Sequence, residues 1–223
     1  MLHAAVPITH PDFTSQRAKL VARGRRLEYL TIAWNSFEAA VALASGLLAG
    51  SVALVGFGLD SVIETGSAVV LLWRFRADHD AIRRESAERT ARRLVGVSFL
   101  LLAAYVTAAS IHTLWTRAQP ERSLPGILIA IAAIVIMPLL GRAKRSVAAQ
   151  LDSRALHSDS RQADFCAYLS AILLAGLLLH ALVGWWWADP VAALIMVPII
   201  AREGAQGLRG EKCECAHEEA DVG

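Results

Sequence analysis

The chain has 223 residues, of which 55% are hydrophobic and 19% are charged, and its mean hydropathy is +0.45. This composition is typical of a polytopic membrane protein and argues against an ordinary soluble domain. The formal net charge of +2 gives no support to nucleic-acid binding, because membrane topology accounts for the basic residues.

A transmembrane helix needs about 20 mostly apolar residues, and six stretches of the chain approach that length. In chain order they are residues 30–49, 52–73, 94–115, 125–140, 163–183 and 190–205. The fourth stretch is short, and we expect its helix to continue through residues 142–151. We therefore predict an all-α bundle of six transmembrane helices over residues 28–209, preceded by a leading segment (1–27) and followed by a short tail (210–223).

The basic residues indicate the orientation of this bundle. Of the 22 lysines and arginines, only Arg117 and Arg122 fall on the side that we assign to the exterior. The positive-inside rule then places both termini in the cytosol. An even number of spans agrees with this, because it requires both termini to lie on the same side. The same bias favours a bacterial inner (plasma) membrane as the location.

Two loops carry recognisable signals. Residues 118–124 contain a proline and should break the helical pattern between the third and fourth spans. Trp185 and Trp187 precede the sixth span, where an aromatic belt at the outer interface is expected. Asp189 followed by Pro190 predicts the N-cap and the first position of the sixth helix.

The second span carries two carboxylates, Asp60 and Glu64, which at this spacing lie on one face of a helix. A charged side chain at bilayer depth costs about 2.5–3.5 kcal/mol on insertion scales, so an intramembrane carboxylate marks a functional site by default. Two such groups repel each other unless a positive charge lies between them. We predict that they bind a cation in transit; the alternative is a carboxylate held by a neighbouring donor for packing.

Further polar residues lie in the first span and in the tail. Glu38 is either a proton-coupling or vestibule carboxylate, or a hydrogen-bond partner of Asn35 or of a neighbouring helix. Cys213, Cys215 and His217 offer two thiols and an imidazole that would hold a soft metal and deliver it to the pore. The alternative for these three residues is an ordinary charged tail.

The chain resembles a known family in three strings: GSVAL at residues 50–54, LDSVIE at 59–64, and ADP at 188–190, where the sixth span opens. These strings resemble the membrane domain of the cation diffusion facilitator (cation efflux) family, over roughly residues 28–209. The resemblance implies a proton-coupled exporter of divalent metals, chiefly zinc, that works by alternating access. It implies a secondary transporter and not an enzyme.

The family's transport site has an Asp or His and an Asp four residues apart in the second span, and a His and an Asp four residues apart in the fifth. Asp60 matches the first position, and Glu64 replaces the usual Asp. The resemblance puts Gln162 and Cys166 at the two fifth-span positions. An amide is a weak zinc ligand, whereas a thiolate is a strong, soft one. Asp159, one turn toward the cytosol, would supply the missing charge.

Helix geometry places the two halves of this predicted site at different depths. At about 1.5 Å per residue, Asp60 and Glu64 lie roughly 12–18 Å from the start of the second span. Gln162 and Cys166 lie roughly 26–32 Å from Trp185, so tilt or an outward projection of the fifth span is required to bring the halves together.

These observations predict a divalent-cation transporter without a permanently bound cofactor. Its partners are the transported metal, protons and the lipid bilayer, with Zn²⁺ as the first candidate and Cd²⁺, Mn²⁺, Fe²⁺ and Co²⁺ as others. The tail is too short for the cytosolic dimerisation domain usual in the family, so a homodimer would have to form through the membrane part. The alternative is a non-transporting sensor or interaction partner that binds metal on the same scaffold.

Overall fold

The computed structural model describes residues 11–76, 81–151 and 154–209. Within these ranges the backbone forms six long helices and no strand: α1 (Pro11–Ala49), α2 (Val52–Arg76), α3 (Ala81–Thr116), α4 (Leu124–Leu151), α5 (Arg154–Leu178) and α6 (Ala188–Arg209). A π-helical turn, Leu179–Val183, extends α5. Each of the six contains a segment long and apolar enough to cross a membrane, so the predicted six-span bundle is confirmed.

Three helices begin well before the predicted spans: α3 begins at Ala81 and α5 at Arg154, ahead of the predicted residues 94 and 163, and α1 differs most. The extension of α4 through Leu151 and the break before Leu124 are confirmed. However, α1 begins at Pro11, well before residue 30. This part of α1 is rich in charged residues and includes the fully buried Glu28. A prediction based on hydropathy alone therefore placed the start of the helix too late. Cys213, Cys215 and His217 lie outside the described residues.

The helices pack most extensively in the pairs α4–α5, α3–α6 and α1–α2. In the α3–α6 pair a Cβ added to Gly204 would lie 2.9 Å from the carbonyl oxygen of Gly96, so glycine is required for this close approach. Large apolar side chains such as Leu48, Leu101 and Leu139 are exposed. Exposed apolar surface combined with buried carboxylates is typical of a protein surrounded by lipid.

Asp189 joins the beginning of α6 to the beginning of α2. Its carboxylate accepts hydrogen bonds from the Ser51 hydroxyl and from the backbone N–H groups of Val52 (2.9 Å) and Ala53 (3.4 Å). The first N–H groups of a helix have no partner within the helix, and Asp189 supplies one from another helix. We predicted Asp189 as the N-cap of its own helix, but α6 begins one residue earlier and the carboxylate caps α2.

This cap should contribute measurably to stability. In Asp189→Asn an amide group replaces one acceptor oxygen in a buried cluster of donors, and we expect the free energy of unfolding to fall by about 2 kcal/mol. Ser51→Ala removes only the hydroxyl and should cost about 1 kcal/mol. Thermal unfolding in detergent measures both effects, and an Asp189→Asn protein with the wild-type Tm would contradict the cap.

Candidate metal centre

Three potential metal ligands converge between α2 and α5. Asp60, Glu64 and Cys166 each offer one ligand atom, and these atoms all lie within 4.8 Å of one another. All three residues are buried, with Cys166 fully enclosed. A tetrahedral zinc site with bonds of about 2.0–2.3 Å separates its ligand atoms by about 3.3–3.8 Å. The donor set therefore fits a small divalent cation after modest side-chain rotation.

The helix ends explain how the two halves reach the same depth. A Cβ on Gly176 would lie 2.6 Å from the Cβ of Ala192 and 3.3 Å from the carbonyl oxygen of Ala188, so Gly176 is level with the start of α6. That start is joined through Asp189 to the start of α2. At about 1.5 Å per residue, Cys166 lies about 15 Å from Gly176, and Asp60 and Glu64 lie about 12 and 18 Å from the start of α2. The fifth span therefore extends past the start of the second at this end of the bundle.

The first helix supplies hydrogen bonds to this group. The side-chain amide of Asn35 donates to Glu64 Oε2 at 3.0 Å. Glu38 Oε1 accepts from the Ser61 hydroxyl at 2.7 Å and from the Cys166 thiol at 3.6 Å. Of the two alternatives for Glu38, hydrogen bonding to neighbouring helices is thus observed, although its partners are Ser61 and Cys166 and not Asn35. Both first-span residues therefore lie next to the ligand cluster.

A small cavity opens beside the ligand cluster. Its lining includes Asp60, Glu64, Gln162 and Glu203, with apolar side chains such as Leu169 around them. Gln162 therefore reaches the same cavity as the carboxylates. Sequence reasoning missed Glu203, although it is an acidic residue inside the sixth apolar stretch, the same signal that identified Asp60.

The structure places Asp159 in a different cluster. Its carboxylate contacts Nζ of Lys144, which also lies 3.3 Å from Glu28 Oε2. Lys144 is only 1% exposed and Glu28 is fully buried. Asp159 was predicted to supply charge to the cation site, but its carboxylate is paired with Lys144 instead. Lys144, which we interpreted only as a topology signal, forms a buried ion pair.

Several carboxyl groups surround one cavity. Glu38, Asp60 and Glu64 lie at or near the ligand cluster, and Glu203 lines the cavity from α6. Like charges repel strongly away from water, where the effective dielectric constant is low. Such a group is suited to hold a divalent cation, protons, or each in turn.

Comparison with known proteins gives one family and several relatives. The model of the Cation efflux transmembrane domain matches residues 29–209. The chain is 28% identical to Transmembrane protein 163 of Xenopus laevis over 185 residues, covering 80% of this chain and 63% of that protein. It is 26% identical to an uncharacterized transporter of Synechocystis (66% of this chain, 49% of the relative). It is 23% identical to Cation-efflux pump FieF of Shewanella oneidensis (73% and 57%). The chain thus spans between about half and 63% of the length of these relatives.

Proposed function

The chain belongs to the cation efflux family, since the family's transmembrane-domain model matches most of its length, and on that premise we propose that it transports a divalent metal cation across a membrane in exchange for protons. The observation that carries this proposal is the convergence of Asp60, Glu64 and Cys166 within 4.8 Å inside the bundle. A relative is named as a cation-efflux pump, and this name also supports a transport function.

The ligand set supports specific roles. Asp60 and Glu64 supply two negative charges, which balance the charge of a divalent cation, and Cys166 supplies a soft donor. The amide oxygen of Gln162 completes a four-coordinate cage from the cavity wall. Thiolate with carboxylate favours Zn²⁺, followed by Cd²⁺, over the harder Mn²⁺.

Proton exchange follows from the chemistry of these ligands. A carboxyl or thiol group must lose its proton before it binds metal, so metal binding releases protons and proton uptake releases metal. Proton binding to the ligands on the far side of the membrane would then release the cation. Alternating access requires that the cavity open to each side in turn, with the helices that carry the site moving as packed units.

A flux assay tests the proposal directly. The purified chain in lipid vesicles that contain a zinc-sensitive dye should move Zn²⁺ when a proton gradient is imposed, and dissipating the gradient should abolish accumulation. The same assay run with Cd²⁺, Mn²⁺, Fe²⁺ and Co²⁺ ranks the substrates, with protein-free vesicles as the control. Metal binding without flux would refute transport and favour the sensor alternative.

A further inference from the structure

A buried charged cluster lies between the metal centre and one end of the bundle. It comprises Glu28 on α1, Lys144 on α4 and Asp159 on α5. We call the end at which α1 begins and α6 ends the terminal side. Along α1 and α5 the cluster lies on the terminal side of the metal centre, and along α4 it precedes the C-terminal end of the helix.

Two helices independently give the distance between the cluster and the metal centre. On α1, Glu28 precedes Asn35, the donor to Glu64, by about 10 Å at about 1.5 Å per residue. On α5, Asp159 precedes Cys166 by the same number of residues and thus also by about 10 Å. Asp159 shares its helical face with Cys166 and Gln162. The cluster therefore lies about 10 Å from the metal centre on both helices. An ion that follows this face of α5 from the terminal side reaches the cluster before the metal centre.

The layer beyond the cluster is apolar. Val147, Ala148 and Leu156 form a small hydrophobic core separate from the main one, with Leu27 and Leu151 packed against it. These residues flank Glu28, Lys144 and Asp159 in sequence on the terminal side. Passage from the terminal side to the metal centre thus crosses a thin apolar layer and then the charged cluster.

The cluster contains more carboxyl groups than amino groups. Lys144 brings one positive charge against two carboxylates, and its ion pairs within the described residues are with Glu28 and Asp159. Glu28 is fully buried, and its second oxygen, Oε1, makes no hydrogen bond to any described residue. Both oxygens belong to one carboxyl group, so this unused acceptor lies beside Lys144. A buried carboxylate pair with a spare acceptor has the charge and donors for a divalent cation.

We propose that Glu28 and Asp159 form a second divalent-cation subsite, which the Lys144 ammonium group fills in this conformation and from which an arriving metal ion displaces it. The proposal deepens the transport function and rests on it for its physiological role. Lys144 acts as a tethered cation that keeps the two carboxylates paired while no metal is present. The metal then moves about 10 Å along the shared face of α5 to the centre formed by Asp60, Glu64 and Cys166.

Metal stoichiometry tests the subsite. In Lys144→Met the tethered cation is removed and its volume is kept. At a free Zn²⁺ concentration too low to displace Lys144 in wild type, equilibrium dialysis of the purified full chain should therefore find one more bound ion in this variant than in wild type. Lys144→Arg retains the positive charge and should keep the wild-type stoichiometry. Equal stoichiometry in the two variants would overturn the proposal.

Additional variants separate this proposal from the function on which it rests. Lys144→Met combined with Asp60→Asn and Glu64→Gln should still bind one ion, at the subsite alone. If the wild-type chain binds no metal and the Lys144→Met variant binds one ion, the metal centre fails while the subsite stands. If both bind equally, the subsite fails while the metal centre is unaffected.

A transport measurement keeps the subsite testable if Lys144→Met does not fold. Glu28→Gln and Asp159→Asn each leave one carboxylate to neutralise Lys144, so neither leaves an unpaired ammonium group. For metal supplied from the terminal side, each should raise KM at least about tenfold, because a charged ligand is lost, with kcat little changed. An unchanged KM in both variants would overturn the proposal, as would an equal loss of kcat.

Discussion

Asp60→Asn is expected to reduce Zn²⁺ transport by more than about 100-fold. Removing a residue that only hydrogen-bonds to a metal ligand costs about 10–100-fold in metal affinity or activity. The loss should be larger for Asp60, because it is proposed to bind the metal directly. The carboxylate is 3% exposed, and its Oδ2 has no hydrogen-bond partner among the described residues. Its charge therefore has no fixed partner without a cation, and vesicle flux and Zn²⁺ binding should fall together.

Stability distinguishes this loss of function from a loss of fold. Asp60 lies near Glu64 and Glu38, so removing its charge relieves repulsion, and the Tm of Asp60→Asn should equal or exceed that of wild type. Asp164→Asn is the matched control, because the same chemical change is made on a carboxylate that is 36% exposed and 2.5 Å from Arg145. Its transport should remain at the wild-type level. An Asp60→Asn protein that still transports Zn²⁺ normally would refute the proposed metal centre.

The second-span half of the candidate site could be predicted because a strong local rule applies to it. Carboxylates inside a long apolar stretch are costly and are rarely retained without a function, and helical spacing alone places Asp60 and Glu64 on one face. Cys166 and Gln162 required the family resemblance, since each is ordinary inside a helix. Counting residues from Trp185 even argued against them. That count left either a tilt or a projection of α5 as the way to bring the halves together, and the choice depends on where α6 packs against Gly176.

The residues missed by sequence reasoning are those whose partners lie on other helices. Lys144 appeared to be one of many basic residues near a helix end, and only the packing of α1, α4 and α5 places it between Glu28 and Asp159. Asp189 carried a local capping signal, yet its carboxylate caps α2, across the bundle. A single sequence reports periodicity and burial along one helix, but contacts between helices depend on tertiary packing.

Cys166→Ser should change which metal is carried. A hydroxyl replaces the thiol with little change in shape, and it can still donate to Glu38 Oε1 as the thiol does. However, a neutral hydroxyl is a much weaker ligand for soft cations than a thiolate. We expect affinities for Zn²⁺ and Cd²⁺ to fall about 100-fold, comparable with the loss of other site groups, while that for Mn²⁺ changes little.

Competition assays in vesicles measure this preference as the ratio of Cd²⁺ to Mn²⁺ uptake. Ser170→Ala is a suitable control, because Ser170 is buried one turn further along α5 and its hydroxyl bonds only to the carbonyl oxygen of Cys166 among the contacts observed. That variant should keep the wild-type ratio. An unchanged ratio in Cys166→Ser would mean that the cation is held by oxygen atoms alone, with Gln162 and the carboxylates as ligands. A reduced ratio with intact Mn²⁺ flux would instead identify the thiol as the group that selects the metal, because the carboxylates alone would still carry the harder ion.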